Sequence, residues 1–175
     1  TFNFTEQVLN NRMWTAGGTV QANYDWRDST RLTAGVDGQS VDMDDRTLYH
    51  TSTRVKRAKG KQLYMAPFLQ LQLKPLGERL VATLGGRFDW FKSYNGSFED
   101  TTPFKLTLYP SDERYSFSPR AGLLYHLDDW TALRLAGGKA FQAPRPFTLY
   151  AEQVTGNAVL FGNPSLAPES LWSYE

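Results

Sequence analysis

The sequence predicts an all-β fold, an antiparallel meander that forms part of a transmembrane β-barrel. Six segments alternate apolar and polar residues with the period of two that is typical of strands, and the connections between them are alternately short and long. The mean hydropathy is −0.48, and no apolar run approaches the roughly 18 residues of a helical membrane span. Six or seven strands do not close a bacterial barrel, which needs an even number of about eight or more. We therefore expect a piece of a larger barrel, and the start at Thr1 without an initiator methionine agrees with this.

The first strand is predicted over residues 12–26. Its apolar or small positions are the even-numbered Trp14, Ala16, Gly18, Val20, Ala22, Tyr24 and Trp26. Trp14 and Tyr24 are ten residues apart, which places them roughly 23 Å apart along the membrane normal in a strand tilted by about 45°. That distance is close to the ~25 Å apolar band between the aromatic girdles of an outer-membrane barrel. A long strand of a soluble sandwich explains this segment alone equally well.

Five further strands repeat the alternation, and a seventh begins at Leu171. The five are predicted over residues 31–37, 62–73, 79–91, 115–127 and 131–141. Short turns are predicted over 27–30, 74–78 and 127–130, and long connections over 38–61, 92–114 and 142–170. Tight periplasmic turns opposite long extracellular loops are typical of a membrane barrel, whereas Greek-key sandwiches have no reason to alternate in this way. The first strand is accordingly predicted to run towards the periplasm.

Composition and charge exclude several classes of function. The 175 residues include 19 basic and 18 acidic side chains, so the net charge of +1 gives no electrostatic case for nucleic-acid binding. The chain has no cysteine, which excludes thiolate zinc sites and cysteine nucleophiles. His50 and His126 lie far apart in the predicted topology, so we predict no catalytic site, no enzyme and no cofactor.

A metal site is not predicted either. Asp42, Asp44 and Asp45 offer the hard oxygen ligands that Ca²⁺ prefers, but the rest of a calcium-loop pattern is missing. A loop-stabilising calcium ion stays open as an alternative, and solvated loop carboxylates are the favoured interpretation.

Four charged residues fall on the polar sides of the predicted strands. They are Arg87, Asp89, Arg120 and Arg134. In a barrel these sides face the lumen, where the charged groups can pair with one another or with a domain inside the barrel. A structural, ion-paired role is favoured for each arginine, and a direct role in substrate passage is the alternative.

The long connections carry the candidate ligand-binding residues. These are Tyr49, His50, Arg54, Arg57 and Arg145. The basic and aromatic stretch 46–61 suits an anionic ligand such as a ferric chelate, although lipopolysaccharide phosphates or plain solvent are alternatives. The aromatic residues of these connections either stack on a ligand or pack the loops, and they are Phe104, Tyr109, Phe147 and Tyr150.

Three motifs resemble the barrel of TonB-dependent outer-membrane receptors. They are Ser-Pro-Arg-Ala-Gly-Leu-Leu-Tyr at 118–125, the segment 133–144 that ends in Gly-Lys-Ala-Phe-Gln-Ala-Pro, and Asn-Pro-Ser-Leu-Ala-Pro-Glu at 163–169 with Tyr174 and Glu175 following. Residues 84–89 are similar to the Gly-x-Arg-x-Asp strand of the same family. The resemblance covers about residues 60–175, and residues 1–58 carry no motif of the family.

The resemblance implies a fold, a function and a set of partners. It implies that residues 1–175 are part of a 22-stranded barrel whose N-terminal plug domain is absent from this sequence. It further implies a receptor in the bacterial outer membrane for TonB-dependent uptake of a scarce nutrient such as a ferric siderophore. The partners implied are outer-membrane lipid, the plug of the same protein, periplasmic TonB and a small metal chelate. A passive porin-like barrel and a soluble all-β binding module stay open as alternatives.

Overall fold

The computed structural model describes residues 7–49, 52–155 and 158–175, and nearly all of them lie in antiparallel strands. The strands are β1 (Gln7–Trp26), β2 (Thr30–Tyr49), β3 (Val55–Leu73), β4 (Pro75–Glu78), β5 (Leu80–Thr101), β6 (Phe104–Tyr109), β7 (Asp112–His126), β8 (Ala132–Gln142), β9 (Gln153–Thr155), β10 (Ala158–Leu160) and β11 (Glu169–Tyr174). A five-residue helix, α1 (Pro146–Tyr150), follows β8. Within the described ranges no helix has the length and apolarity to cross a bilayer.

The main sheet is a meander in which each strand pairs with the next long strand along the chain. Its order is β1-β2-β3-β5-β7-β8-β11, and β6 pairs with residues 96–101 at the C-terminal end of β5. The short strands β9 and β10 form a separate hairpin. The predicted fold class is confirmed, and the predicted seventh strand is β11, which begins at Glu169, two residues before the predicted start.

Cross-strand register brings the apolar positions of neighbouring strands together on one face. Directly opposed pairs across the sheet are Val20 with Val36, Ala34 with Leu69, Leu71 with Leu84, Leu84 with Ala121, and Leu123 with Leu135. Because side chains alternate with a period of two, a slip of one residue at any strand would move its apolar set to the opposite face. The register therefore builds one continuous apolar face.

This apolar face is not covered by a second layer within the described part of the chain. The side chain of Val20 is 74% exposed and that of Leu84 is 55% exposed. A sandwich would bury such residues between two sheets about 10 Å apart. The arrangement contradicts the soluble-sandwich alternative and leaves the face free for a different apolar environment.

The uncharged part of this face has a constant length on four successive strands. It covers residues 30–40, 63–73, 80–90 and 115–125, which is about eleven residues each and matches the ~9–11 residues of a tilted membrane strand. The next position on the same face is charged in every case: Asp42, Lys61, Lys92 and Glu113. These four side chains form two ion pairs, Lys61–Asp42 at 2.7 Å and Lys92–Glu113 at 2.6 Å. We call the uncharged stretch the apolar band and the opposite side of the sheet the polar face.

The predicted long connections 38–61 and 92–114 are wrong as loops. Strand β2 continues to Tyr49 and β3 begins at Val55, so only residues 50–54 join them, and β5 continues to Thr101. The apolar alternation stops at the band, but the backbone ladder continues because charged side chains such as Asp44 and Arg57 pair across it. Strand β6 also occupies part of the second predicted loop.

The third long connection, 142–170, folds back onto the sheet beyond the band. Helix α1 contacts β2, β3 and β5. Its Leu149 and Tyr150 form a small core with Met43, Ala58 and Ala151. Odd-numbered Met43 and even-numbered Ala58 lie on the polar face, so α1 covers the polar face at the end of the sheet away from the turn at 27–29.

Candidate functional site: an interior polar network and a recess

The four charged residues predicted on the polar face all lie there, and two of them form the centre of a network. Arg87 Nε donates to Asp89 Oδ1 at 2.8 Å, and its Nη1 lies 2.8 Å from Asp37 Oδ2. Ser118 Oγ donates to Asp89 Oδ2 at 3.1 Å, and the Tyr64 hydroxyl contacts both Arg87 and Asp89. Asp89 is only 2% exposed. The network satisfies the hydrogen-bonding capacity of a buried carboxylate, as burial requires.

The other two predicted interior residues have their own partners nearer the short turns. Arg120 Nη2 donates to Gln70 Oε1 at 2.6 Å. Arg134 Nη2 lies 3.3 Å from Glu175 Oε2 in an exposed ion pair. All four residues thus have polar partners on the same face.

Two of the candidate ligand-binding cations are neutralised by carboxylates within the sheet. Arg54 binds Asp100 through two hydrogen bonds of 2.9 and 2.6 Å, and its guanidinium lies 5.6 Å from the ring of Tyr49. Arg57 pairs with Asp44 on the same side of the sheet as the apolar band. His50 lies outside the described residues. The described part of the stretch 46–61 therefore holds its arginines in ion pairs rather than presenting a free basic patch.

The Arg54–Asp100 pair predicts acid sensitivity at the hairpin tip. These residues lie well beyond the apolar band, and hydrogen bonds from Arg54 hold the pKa of the Asp100 carboxyl below its usual range. The stabilisation that the ionised Asp100 contributes to the folded state is therefore complete above its unfolded pKa of about 3.9. It is lost as the pH falls through the lower pKa of the folded state. A nitroxide label at Thr53 should become more mobile below about pH 4, and Asp100→Asn should remove this pH dependence. An unchanged profile in Asp100→Asn would assign the transition to another carboxyl.

Arg145 has a different position from the other candidate cations. It is exposed and precedes α1, and no carboxylate of the described residues forms an ion pair with it. It lies at the rim of a recess of about 480 Å³ on the polar face, which Gln62, Tyr64 and Arg87 also line. Phe141 also lines the recess, and its ring packs on that of Phe91, which is 2% exposed, with centroids 6.2 Å apart. The recess combines an available guanidinium with apolar aromatic surface.

Residues 143–152, which we call the strap, are fixed to the polar face at three points. Gln62 Nε2 donates to the Pro144 carbonyl at 2.8 Å and to Ser93 Oγ at 3.0 Å. Lys56 forms an ion pair with Glu152 in which both side chains are largely buried. The third point is the ring of Tyr150, which is 2% exposed. The strap forms the roof of the recess.

The aromatic residues of the predicted loops divide between packing and exposure. Tyr109 and Tyr150 stack on each other with ring centroids 5.4 Å apart. Phe147 packs partly buried against the same core. Phe104 is exposed on β6. Tyr109, Phe147 and Tyr150 therefore pack the loop region, and none of these three rings lines the recess.

The three aspartates considered for calcium do not converge. Asp42 and Asp44 point to one side of β2, whereas Asp45 points to the other and is buried near Ala58. Lys61 and Arg57 already neutralise the first two. No group of three or more candidate metal-ligating side chains occurs within residues 7–49, 52–155 and 158–175. The geometry does not support a calcium site built from these three residues.

Comparison with known proteins identifies the family. A family model described as "TonB dependent receptor-like, beta-barrel" matches residues 1–175. The chain belongs to the TonB-dependent receptor β-barrel family. The family places it in the bacterial outer membrane, and the family is one of transporters rather than enzymes.

Two curated relatives agree with this assignment. Both are named iron-regulated outer membrane virulence protein and come from two strains of Vibrio cholerae serotype O1, and each is 28% identical over 141 residues. The match covers 79% of this chain but only 18% of each relative, so the chain spans less than a fifth of their length. No solved structure matches the chain.

Proposed function

We propose that residues 1–175 form part of the barrel wall of a receptor that takes up a scarce nutrient such as a ferric siderophore. A plug domain of the same polypeptide closes the lumen, and periplasmic TonB supplies the energy for uptake. The family assignment and the continuous apolar band support the barrel. The iron-regulated relatives favour a metal chelate as cargo.

The two faces of the sheet have different surroundings in this proposal. The apolar band contacts lipid, and the polar face lines the lumen. An arginine at the lipid midplane costs about 2–4 kcal/mol, and this cost explains why Arg87, Arg120 and Arg134 all occupy the polar face. The network around Asp89 then faces the plug, and the recess opens at the extracellular end because the short turns lie at the periplasmic end.

The observation that carries the choice of ligand is that Arg145 lines the same recess as Phe141, with no carboxylate of the described residues bound to it. An arginine that has no carboxylate partner favours an anion, since charge-assisted hydrogen bonds are about twice as strong as neutral ones. The partly exposed ring of Phe141 favours a ligand with planar rings. An anionic chelate that carries aromatic rings fits both properties.

Binding of two iron complexes of different charge tests this proposal in the complete receptor. The iron(III) tris-catecholate complex is a ring-bearing trianion, and the iron(III) tris-acetohydroxamate complex is neutral. Arg145→Gln should weaken binding of the tris-catecholate to intact cells by about tenfold or more, because a charged hydrogen bond contributes about 1.5–3 kcal/mol. Lys105→Gln removes the same charge from exposed strand β6 and should have no effect. Equal binding of both complexes, or an unaltered affinity in Arg145→Gln, would refute the anionic ligand.

A further inference from the structure

The ring of Tyr150 occupies a slot that exists because two facing strands carry glycine. Gly60 lies on β3 and Gly96 on β5. A Cβ atom added at either position would overlap ring atoms of Tyr150, well inside van der Waals contact. Heavy atoms do not approach so closely, so any other residue at 60 or 96 displaces the ring. The slot therefore admits an aromatic ring only while both positions are glycine.

A β-bulge coincides with this slot. The register between β3 and β5 shifts between Lys59 and Lys61, at the position of Gly60. The opposite strand adopts a left-handed backbone at Asn95, with φ of 54°, immediately before Gly96. Bulges re-aim side chains and bend the strand locally. The missing side chains and the bulge together make a depression in an otherwise regular sheet.

The position of Tyr150 is coupled to that of Arg145 through the backbone of α1. The Arg145 carbonyl accepts hydrogen bonds from the amides of Thr148 and Leu149 at 3.0 and 3.2 Å. Ala151 N donates to the Phe147 carbonyl at 2.9 Å. These bonds make residues 145–151 one short helical unit, so a displacement at Tyr150 moves Arg145 as well.

We propose that Tyr150 is a positioning residue for the recess: its ring, seated between Gly60 and Gly96, fixes the strap so that the Arg145 guanidinium stays over the ligand. The proposal rests on the proposed function only in requiring that the recess binds an anion. Tyr150 itself does not line the recess and acts through Arg145. The flanking contacts of Gln62 with Pro144 and of Lys56 with Glu152 fix the ends of the strap, and the ring fixes its helix.

The first test measures the strap without ligand. Nitroxide labels on Thr148→Cys and Thr53→Cys report the distance between strap and hairpin by pulsed electron spin resonance in the complete receptor, and this chain adds no competing thiol. The distance distribution should be narrow in the parent and in Tyr150→Phe, and broad in Gly60→Ala and Tyr150→Ala. Gly38→Ala is the matched control, because a Cβ at Gly38 meets nothing within 4 Å. A narrow distribution in both Gly60→Ala and Tyr150→Ala would overturn the proposal.

The second test asks whether the strap acts through Arg145. Gly60→Ala should weaken tris-catecholate binding about as much as Arg145→Gln, roughly tenfold or more. The double variant should be no weaker than Arg145→Gln alone, because a misplaced guanidinium and a missing one have the same consequence. Additive losses would contradict a positioning role. If the parent receptor does not bind the trianion, the proposed function fails, and the spin-label distances still decide whether Tyr150 holds the strap.

Discussion

Asp89→Ala is expected to lower the free energy of unfolding of the barrel by about 2–3 kcal/mol. Asp89 is almost completely buried and accepts hydrogen bonds from Arg87, Ser118 and Tyr64. Removing one partner of a buried ion pair leaves the other without compensation, which costs more than the pair itself contributes. Arg87 keeps Asp37 and is partly exposed, which places the expected loss at or below the lower end of the roughly 3–5 kcal/mol usual for a buried pair. Equilibrium unfolding by guanidinium chloride measures this loss, with the receptor folded into lipid vesicles.

The matched control for this variant is Asp37→Ala. It removes the other carboxylate that contacts the Arg87 guanidinium but leaves the contacts of buried Asp89 intact. We expect a loss below about 1 kcal/mol, as for partly exposed ion pairs. Equal losses in the two variants would show that burial of Asp89 is not what makes it important.

Leu84→Arg is expected to destabilise the folded barrel by about 2–4 kcal/mol. Leu84 lies near the middle of the apolar band on β5, between Leu71 and Ala121 on the neighbouring strands. A guanidinium there must be placed in hydrocarbon or distort the bilayer around it. The same unfolding measurement in lipid vesicles reports the loss.

Thr83→Arg is the control for the lipid face. Thr83 is the preceding residue of β5, so its side chain lies on the polar face, between Gln72 and Gly122. We expect a cost of less than about 1 kcal/mol, because a lumen-facing arginine keeps access to water and polar partners. If Thr83→Arg were the more damaging variant, the assignment of the two faces would be reversed.

The strands within the band could be predicted from the sequence because their environment imposes a simple pattern. Lipid on one side requires an apolar residue at every second position, and segments such as 63–73 and 80–90 show this directly. Beyond the band that requirement ends. Asp44 and Arg57 then read as loop residues, although the same backbone ladder continues through them. The period of two identifies the membrane-facing part of a strand rather than the whole strand.

The candidate site was predictable only in part. The alternation along the strands placed Arg87 and Asp89 on the polar face, but their contacts with Asp37, Tyr64 and Ser118 also depend on the register between strands. The alternation along the strands also places these three partners on the polar face, and the short turns constrain the register. The sequence therefore contained the information needed to predict these contacts.

The strap could not be predicted from the alternation of apolar residues or from the short turns. Its segment has no apolar period, and the slot for Tyr150 depends on two glycines on different strands and on a bulge between them. Arg145 was identified as a cation in a long connection, yet its separation from the carboxylates of the described residues emerges only from the folded arrangement.

Nitroxide labels placed one at a time along β1 and β5 test most directly whether hydrocarbon covers the alternating apolar positions. Collision with dissolved oxygen reports lipid, and collision with a water-soluble nickel chelate reports water. Labels at Val20, Ala82 and Leu84 should favour oxygen, and labels at the adjacent Thr19, Thr83 and Gly85 should favour the nickel chelate. The same preference at all six positions, or the opposite alternation, would contradict a sheet that separates lipid from an aqueous lumen.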